Sequence, residues 1–187
     1  MALGLNDVDV DGMKELDRKV RENPALGKRT AKLRCTWQRG VKGLVEVGAQ
    51  EVLGKAATPP TRRFFVAMDG PAGLGGVDAA ATAAETLLAA LAGCITSGIA
   101  ANAALFNVPI EALSVDLEGD IDFRGLLGHD KSVRNGFTDI RYTVTIQSPA
   151  SEEQVRRCKE TIDRKSPVAD SLANPVKITS TFVHKRS

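Results

Sequence analysis

The run of small and apolar residues from Thr82 to Leu105, broken only by Glu85 and Asn102, constrains this chain more than any other segment. Thr82 and Glu85 stand at the Thr-x-x-Glu spacing in which hydroxyl and carboxylate cap each other's backbone N–H groups. A helix is therefore predicted to start near Ala83 and run to about Phe106. Extended back to Ala79, the run to Leu105 is long enough to be weighed as a membrane span. Its Ala, Gly and Thr content makes a weak lipid-facing surface and a good close-packing one, so it reads as a helix buried against protein, with no membrane partner. Small residues at Ala89, Gly93, Gly98 and Ala101 admit a tightly packed neighbour, either within the chain or from a second subunit. With aromatic residues at only 4%, the core must be built from Ala, Val, Leu and Ile, which makes such close contacts all the more necessary.

Around this helix the patterns alternate. Val10, Met13, Leu16 and Val20 form one stripe of a helix over residues 10–22, stopped by Asn23-Pro24. Strands are predicted at 31–38, 44–49 and 63–68, joined as an antiparallel meander. Val115, Leu117 and Ile121 alternate with Asp116, Glu118, Asp120 and Asp122, and Ile140, Tyr142, Val144 and Ile146 repeat the pattern, so two further strands each have one wet face. Ser151 with Gln154 opens a helix whose buried stripe is Val155, Cys158 and Ile162. Ser166-Pro167 opens a short one, and 176–183 reads as a last strand. This order is α+β rather than repeated βα units. At 187 residues the chain has room for one domain, read as residues 30–187, with 1–29 a helical extension.

Several functions are excluded by content. A net charge of +2 and so few aromatic rings provide neither an electrostatic footprint nor a stacking platform for nucleic acid. The glycine-rich loop Gly70 to Gly76 lies between a strand and a helix, but Asp78 occupies the place of the last fingerprint glycine and no Gly-Lys-Ser/Thr follows. No cofactor is expected from it. The three cysteines and two histidines lack the spacing of a metal site or of a secreted disulfide framework, which points to a reducing cytoplasm.

The chemistry then falls on Cys94. It lies about three turns into the helix, beyond the reach of the N-terminal dipole and among Ala89, Ala90, Ala92 and Gly93. Neither place ionises a thiol, so a reactive Cys94 requires a cation brought from elsewhere in the fold, and without one it is an inert packing residue. Glu85 is nine residues away, about two and a half turns, hence on the opposite face of the same helix. Cys35, beside Trp37, and Cys158 are both read as core.

Taken together, Gly75-Gly76-Val77-Asp78, Thr82 through Glu85 to Cys94, Leu113 to Asp120, Val133 to Ile140, Ser148 to Gln154, Ser166-Pro167-Val168 and Asn174-Pro175-Val176 resemble, in order, the OsmC/Ohr family of osmotically inducible and organic-hydroperoxide-resistance proteins. The resemblance implies an OsmC-like fold of two antiparallel sheets and a long central helix, in an intertwined homodimer. It also implies thiol-dependent reduction of a small organic hydroperoxide. Cys94 matches the family's first, peroxidatic cysteine, and Arg39, beside the turn at Gly40, is the best match for its activating arginine. Arg124 and Arg134 are further cations in the long loop after Ile121. Two departures stand out. The glutamate of the hydroperoxide-resistance branch would fall at Ala84, and the second, resolving cysteine is Ser166. A single peroxidatic cysteine served by an external thiol reductant is the reading that follows. Its competitor is a non-catalytic dimer of this fold that binds a small apolar or electrophilic ligand.

Overall fold

The computed structural model describes residues 3–186. The long helix, α2 (Ala83–Leu105), begins where the cap predicts. Glu85 N–H donates to Thr82 Oγ1 at 3.1 Å, and Thr82 N–H donates to Glu85 Oε2 at 2.7 Å. Leu91, Ile95, Ile99 and Ala103 repeat every fourth residue and are buried. The helix is long and apolar enough to cross a membrane, yet these residues form the centre of a protein core shared with Val108, Cys158 and Ile162.

Two sheets, both antiparallel, flank the sequence of α2. The first holds β1 (Arg29–Arg39), β2 (Lys42–Val52), the two-residue β3 (Lys55–Ala56) and β4 (Phe64–Met68). In it β2 pairs with β1 on one edge and with β3 and β4 on the other. The second is the pair β5 (Ala112–Ile121) and β6 (Phe137–Gln147). Its inward residues Leu113, Val115, Leu117, Ile140, Tyr142, Val144 and Ile146 pack on the α2 core, as their alternation requires. Helix α4 (Glu152–Lys165) starts at the Ser151–Gln154 capping box and buries Cys158 and Ile162 against α2. The close approach depends on Gly98, where any Cβ would collide with Ile162. Short α5 (Pro167–Ala173) follows, capped by Ser166 with Pro167 in its first turn.

Ahead of the first sheet, α1 (Val10–Glu22) is capped by Asp9. Asn6 ties this extension to the far end of α2: its Nδ2 donates to Val108 O at 3.0 Å, and its Oδ1 accepts from Ile110 N–H at 2.9 Å.

Three expectations need correction. Residues 176–183 form no strand: they join neither sheet among the described residues, and Ile178 and Phe182 are 91% and 86% exposed. Cys35 is exposed rather than core. Its neighbours explain why: cross-strand pairing puts Leu33, Cys35 and Trp37 on one face of the first sheet with Val45, Val47, Phe64, Val66 and Met68, and although Val45 at its centre is buried, the β1 side of that face and Phe64 stay exposed and none of these residues joins the α2 core. The long loop after Ile121 also contains one helical turn, α3 (Phe123–Leu126), started by the Asp122 cap.

Candidate functional site

Cys94 is half-buried, one turn beyond Leu91 on α2. Its Sγ lies 3.1 Å from Ser166 Oγ. Ser166 is 2% exposed and is held from both sides: its N–H donates to Ile162 O at 2.8 Å, ending α4, and its Oγ accepts from Ala169 N–H at 3.1 Å, starting α5. With the oxygen lone pair directed to Ala169, the hydroxyl proton is free to point at sulfur. Two residues 72 apart in sequence are thus brought into contact by a helix–helix corner whose geometry the serine itself fixes.

Arg39 is elsewhere. It ends β1 opposite Lys42, on the exposed hairpin of the first sheet, and makes no side-chain hydrogen bond or ion pair among the described residues. It lines a hollow of about 420 Å³ with Gln38, Lys42, Met68 and Asp69, a different concavity from the surroundings of Cys94. One chain does not bring Cys94 and Arg39 together. Of the two cations in the long loop, Arg124 is engaged by Asp122 and Arg134 lines a separate concavity beside α2.

Asp69 at the floor of that hollow was not anticipated. Its side chain is 1% exposed. Its carboxylate accepts from the backbone N–H groups of Ala79 (3.0 Å), Gly70 (2.8 Å) and Val77 (3.3 Å), with Lys42 Nζ at 3.7 Å. These bonds, the one from Ala79 above all, with Lys42 adding its charge, hold the carboxyl below its ordinary range. The glycine-rich loop is therefore folded around a buried carboxylate. An Asp-Gly step closing an apolar strand is the sequence signal that could have pointed to it.

A second concavity, of about 670 Å³, runs along α2 beside β6 and α5. Its wall is mainly apolar, with Leu87, Leu91, Ile140 and Leu172. Ala84 lines it too, so that the position where the hydroperoxide-resistance branch has glutamate presents only a methyl group. Tyr142, also in the wall, donates its phenol proton to Asp163 Oδ1 at 2.7 Å. Burial first, then the Asp163 hydrogen bond and charge, pushes the phenol up to about 12. Cys158 has its thiol pushed up by burial and donates to Gln154 O at 3.3 Å, as a core residue should.

A family model described as OsmC-like protein matches residues 75–181. No curated protein matches the sequence. Among solved structures, an OsmC-like protein from Mycoplasma pneumoniae is similar over 78% of this chain and 89% of its own, at 14% identity and a TM-score of 0.59. An organic hydroperoxide resistance protein from Legionella pneumophila is similar over 76% and 88%, at 17% identity and 0.52. An OsmC-like protein of unknown function from Vibrio cholerae is similar over 76% and 92%, at 15% identity and 0.53. At such identities the likeness establishes the fold.

Proposed function

The chain belongs to the OsmC-like protein family, and on that premise we propose that it reduces organic hydroperoxides through Cys94 alone, in a cytoplasmic homodimer, with an external thiol as reductant. The observation that carries the reading is half-buried Cys94, its sulfur 3.1 Å from a Ser166 hydroxyl that also accepts from the N–H of Ala169, a residue in the wall of an apolar groove. In this reaction the Cys94 thiolate attacks the terminal oxygen of the hydroperoxide. The O–O bond breaks, the alkoxide leaves and takes up a proton to become the alcohol, and sulfur is left as sulfenic acid. A first external thiol condenses with the sulfenic acid, releasing water and forming a mixed disulfide. A second thiol then releases the Cys94 thiol and an external disulfide.

The positive charge this step needs near the departing oxygen comes, in our reading, from Arg39 of the second subunit. Support comes from the uncovered face of the first sheet, where Leu33, Trp37 and Phe64 are 60%, 71% and 57% exposed. Three such residues side by side on one sheet face are unusual for an isolated chain. A second copy whose α2 lies on that face would bury them and bring the adjoining hairpin toward Cys94. The exposed segment 176–183 supplies strand-like residues for an unpaired edge of the same assembly.

The non-catalytic reading draws on two observations: among the described residues no guanidinium is hydrogen-bonded to Cys94, and the second thiol is replaced by Ser166. Consumption of cumene hydroperoxide with an added dithiol separates the two. Loss of turnover in Cys94→Ser supports the enzyme, whereas equal consumption by wild type and Cys94→Ser ends that reading.

A further inference from the structure

The hydroxyl of Ser166 has two hydrogen-bond partners among the described residues: the N–H of Ala169, from which it accepts at 3.1 Å, and the sulfur of Cys94. Distance alone lets either member of the Cys94–Ser166 pair be the donor. The protons fix the direction. If the thiol donated to oxygen, the hydroxyl proton of a residue only 2% exposed would have neither water nor an acceptor, at the cost of an unmade buried hydrogen bond. Donation from oxygen to sulfur leaves the thiol proton unplaced instead. That proton is the weaker donor, on a half-buried residue, and costs less to leave alone.

The hydroxyl is also held in place for this task. Ser166 N–H donates to Ile162 O at 2.8 Å and its Oγ takes the N–H of Ala169, so the oxygen is fixed where α4 ends and α5 begins. Accepting one hydrogen bond polarises the O–H that makes the next. Such a donor gains more from an anionic sulfur than from a neutral one, and a hydrogen bond to the charged form of a group favours that form.

We propose that Ser166 is a catalytic residue, whose hydroxyl donates to the Cys94 sulfur and favours the thiolate over the thiol. The position where the resemblance places a resolving thiol is then put to a different use: it prepares the attacking sulfur instead of closing a disulfide. This donor acts on the attacking sulfur, whereas the charge assigned to Arg39 of the second subunit acts on the departing oxygen, so the two contributions are separable. The bearing of Ser166 on turnover rests on the hydroperoxide reading; its hold on the sulfur does not.

The test follows alkylation of Cys94 by iodoacetamide, which reacts with thiolate, across the range from about pH 6 to about pH 10. It uses the full chain carrying Cys35→Ser, in which buried Cys158 is the only other thiol. Ser166→Gly and Ser166→Ala both remove the hydroxyl, but glycine keeps most of the α5 cap and alanine loses it. At pH ~7 both should slow alkylation about tenfold, the equivalent of about 1.4 kcal/mol. The deficit should shrink steadily toward pH ~10, above the usual thiol value of about 8.5, where ionisation no longer needs help. Unchanged rates in both variants would overturn the proposal. So would slowing in Ser166→Ala alone, which would make Ser166 a helix cap and nothing more. A deficit constant across the pH range would overturn it too, since it would reflect altered access rather than altered ionisation. Consumption of cumene hydroperoxide at neutral pH should fall by a similar factor in both variants. If wild type consumes none while alkylation still slows in both, the hydroperoxide reading falls and the hold of Ser166 on the sulfur stands. If wild type turns over and alkylation ignores both substitutions, the role of Ser166 falls and the hydroperoxide reading stands.

Discussion

Replacing Ser166 with cysteine puts a second sulfur where an oxygen already lies 3.1 Å from Cys94 Sγ. The backbone at both positions is fixed, by the interior of α2 on one side and by the α4–α5 corner on the other. Bond formation therefore needs only a small approach of two side chains. Oxidised Ser166→Cys should close a loop of 72 residues. In the chain-entropy relation this removes about 15 cal/mol/K from the unfolded ensemble, a stabilisation of about 4.4 kcal/mol at 25 °C. Strain subtracts from this, and a gain above about 2 kcal/mol is the expected outcome, seen as a rise in Tm of at least about 4 °C over the reduced form. The variant has four thiols, one more than the native three. Treatment with one equivalent of hydroperoxide should leave two, with Cys94 and the new cysteine joined in one tryptic peptide pair under non-reducing conditions. Four thiols after peroxide, or a disulfide to exposed Cys35 instead, would refute the claim that Ser166 occupies a resolving thiol's place. A disulfide without any thermal gain would refute the claim that the corner is already in register.

Further outcomes follow from other contacts. Gly98→Ala gains about 1 kcal/mol in helix propensity but drives a methyl into Ile162, at about 1–3 kcal/mol; urea unfolding should show a net loss of roughly 1 kcal/mol, and a gain would mean that α2 and α4 are not in contact here. Tyr142 is the only tyrosine, so tyrosinate absorbance reports it alone, with a midpoint at about 12 rather than near the usual value of about 10. Because the native value is raised, the associated stability is intact below about pH 10 and is lost as pH rises toward 12; Tyr142→Phe should remove that alkaline loss. Asp69 has the opposite sign: its native value is depressed, so its contribution is present above the unfolded value of about 3.9 and disappears as pH falls through the lower native one. Amide protection at Val77 and Ala79 should therefore fall below pH ~4, and in Asp69→Asn it should be low at neutral pH too; unchanged protection would mean that the carboxylate does not hold the loop.

What was legible in the sequence was local. Thr82 and Glu85 set the start of α2, Ser151 and Gln154 that of α4, and Ser166-Pro167 that of α5, because each cap is a contact between residues three or four apart. Alternation in β5 and β6 was readable because each has one face on the core of its own chain. The strand expected at 176–183 and the buried Cys35 failed for a shared reason. Their apolar residues are real, but the described residues leave them exposed, and a hydrophobic pattern does not reveal whose surface will cover it. Cys94 was legible as the candidate thiol, and its match to Ser166 came through resemblance. The Asp69 latch onto Val77 and Ala79 and the Tyr142–Asp163 pair join residues eight to 21 positions apart, at separations that no regular periodicity marks.

The arrangement of the three thiols bears on how a turnover would be completed. Cys158 is 1% exposed, with its thiol tied to Gln154 O and pushed up by burial, so it cannot reach a sulfenic acid on α2 without unfolding α4. Cys35 belongs to the uncovered sheet face, four residues before Arg39 and across from Val45. A subunit packed on that face would seal the thiol under side chains rather than free it to move. Ser166 is the one side chain hydrogen-bonded to the Cys94 sulfur among the described residues, and its oxygen cannot form a disulfide. What the hydroxyl can do is donate a hydrogen bond to the oxidised sulfur while fixing the α4–α5 corner around it. The sulfenic acid of such a site therefore waits for a thiol from solution, and the half-exposure of Cys94 sets the size of thiol that can reach it. Small dithiols should accordingly restore Cys94 faster than a protein thiol of similar acidity, measured as the rate of thiol recovery after a single equivalent of peroxide. Equal rates would indicate that the assembled protein opens around Cys94 more widely than the single chain implies.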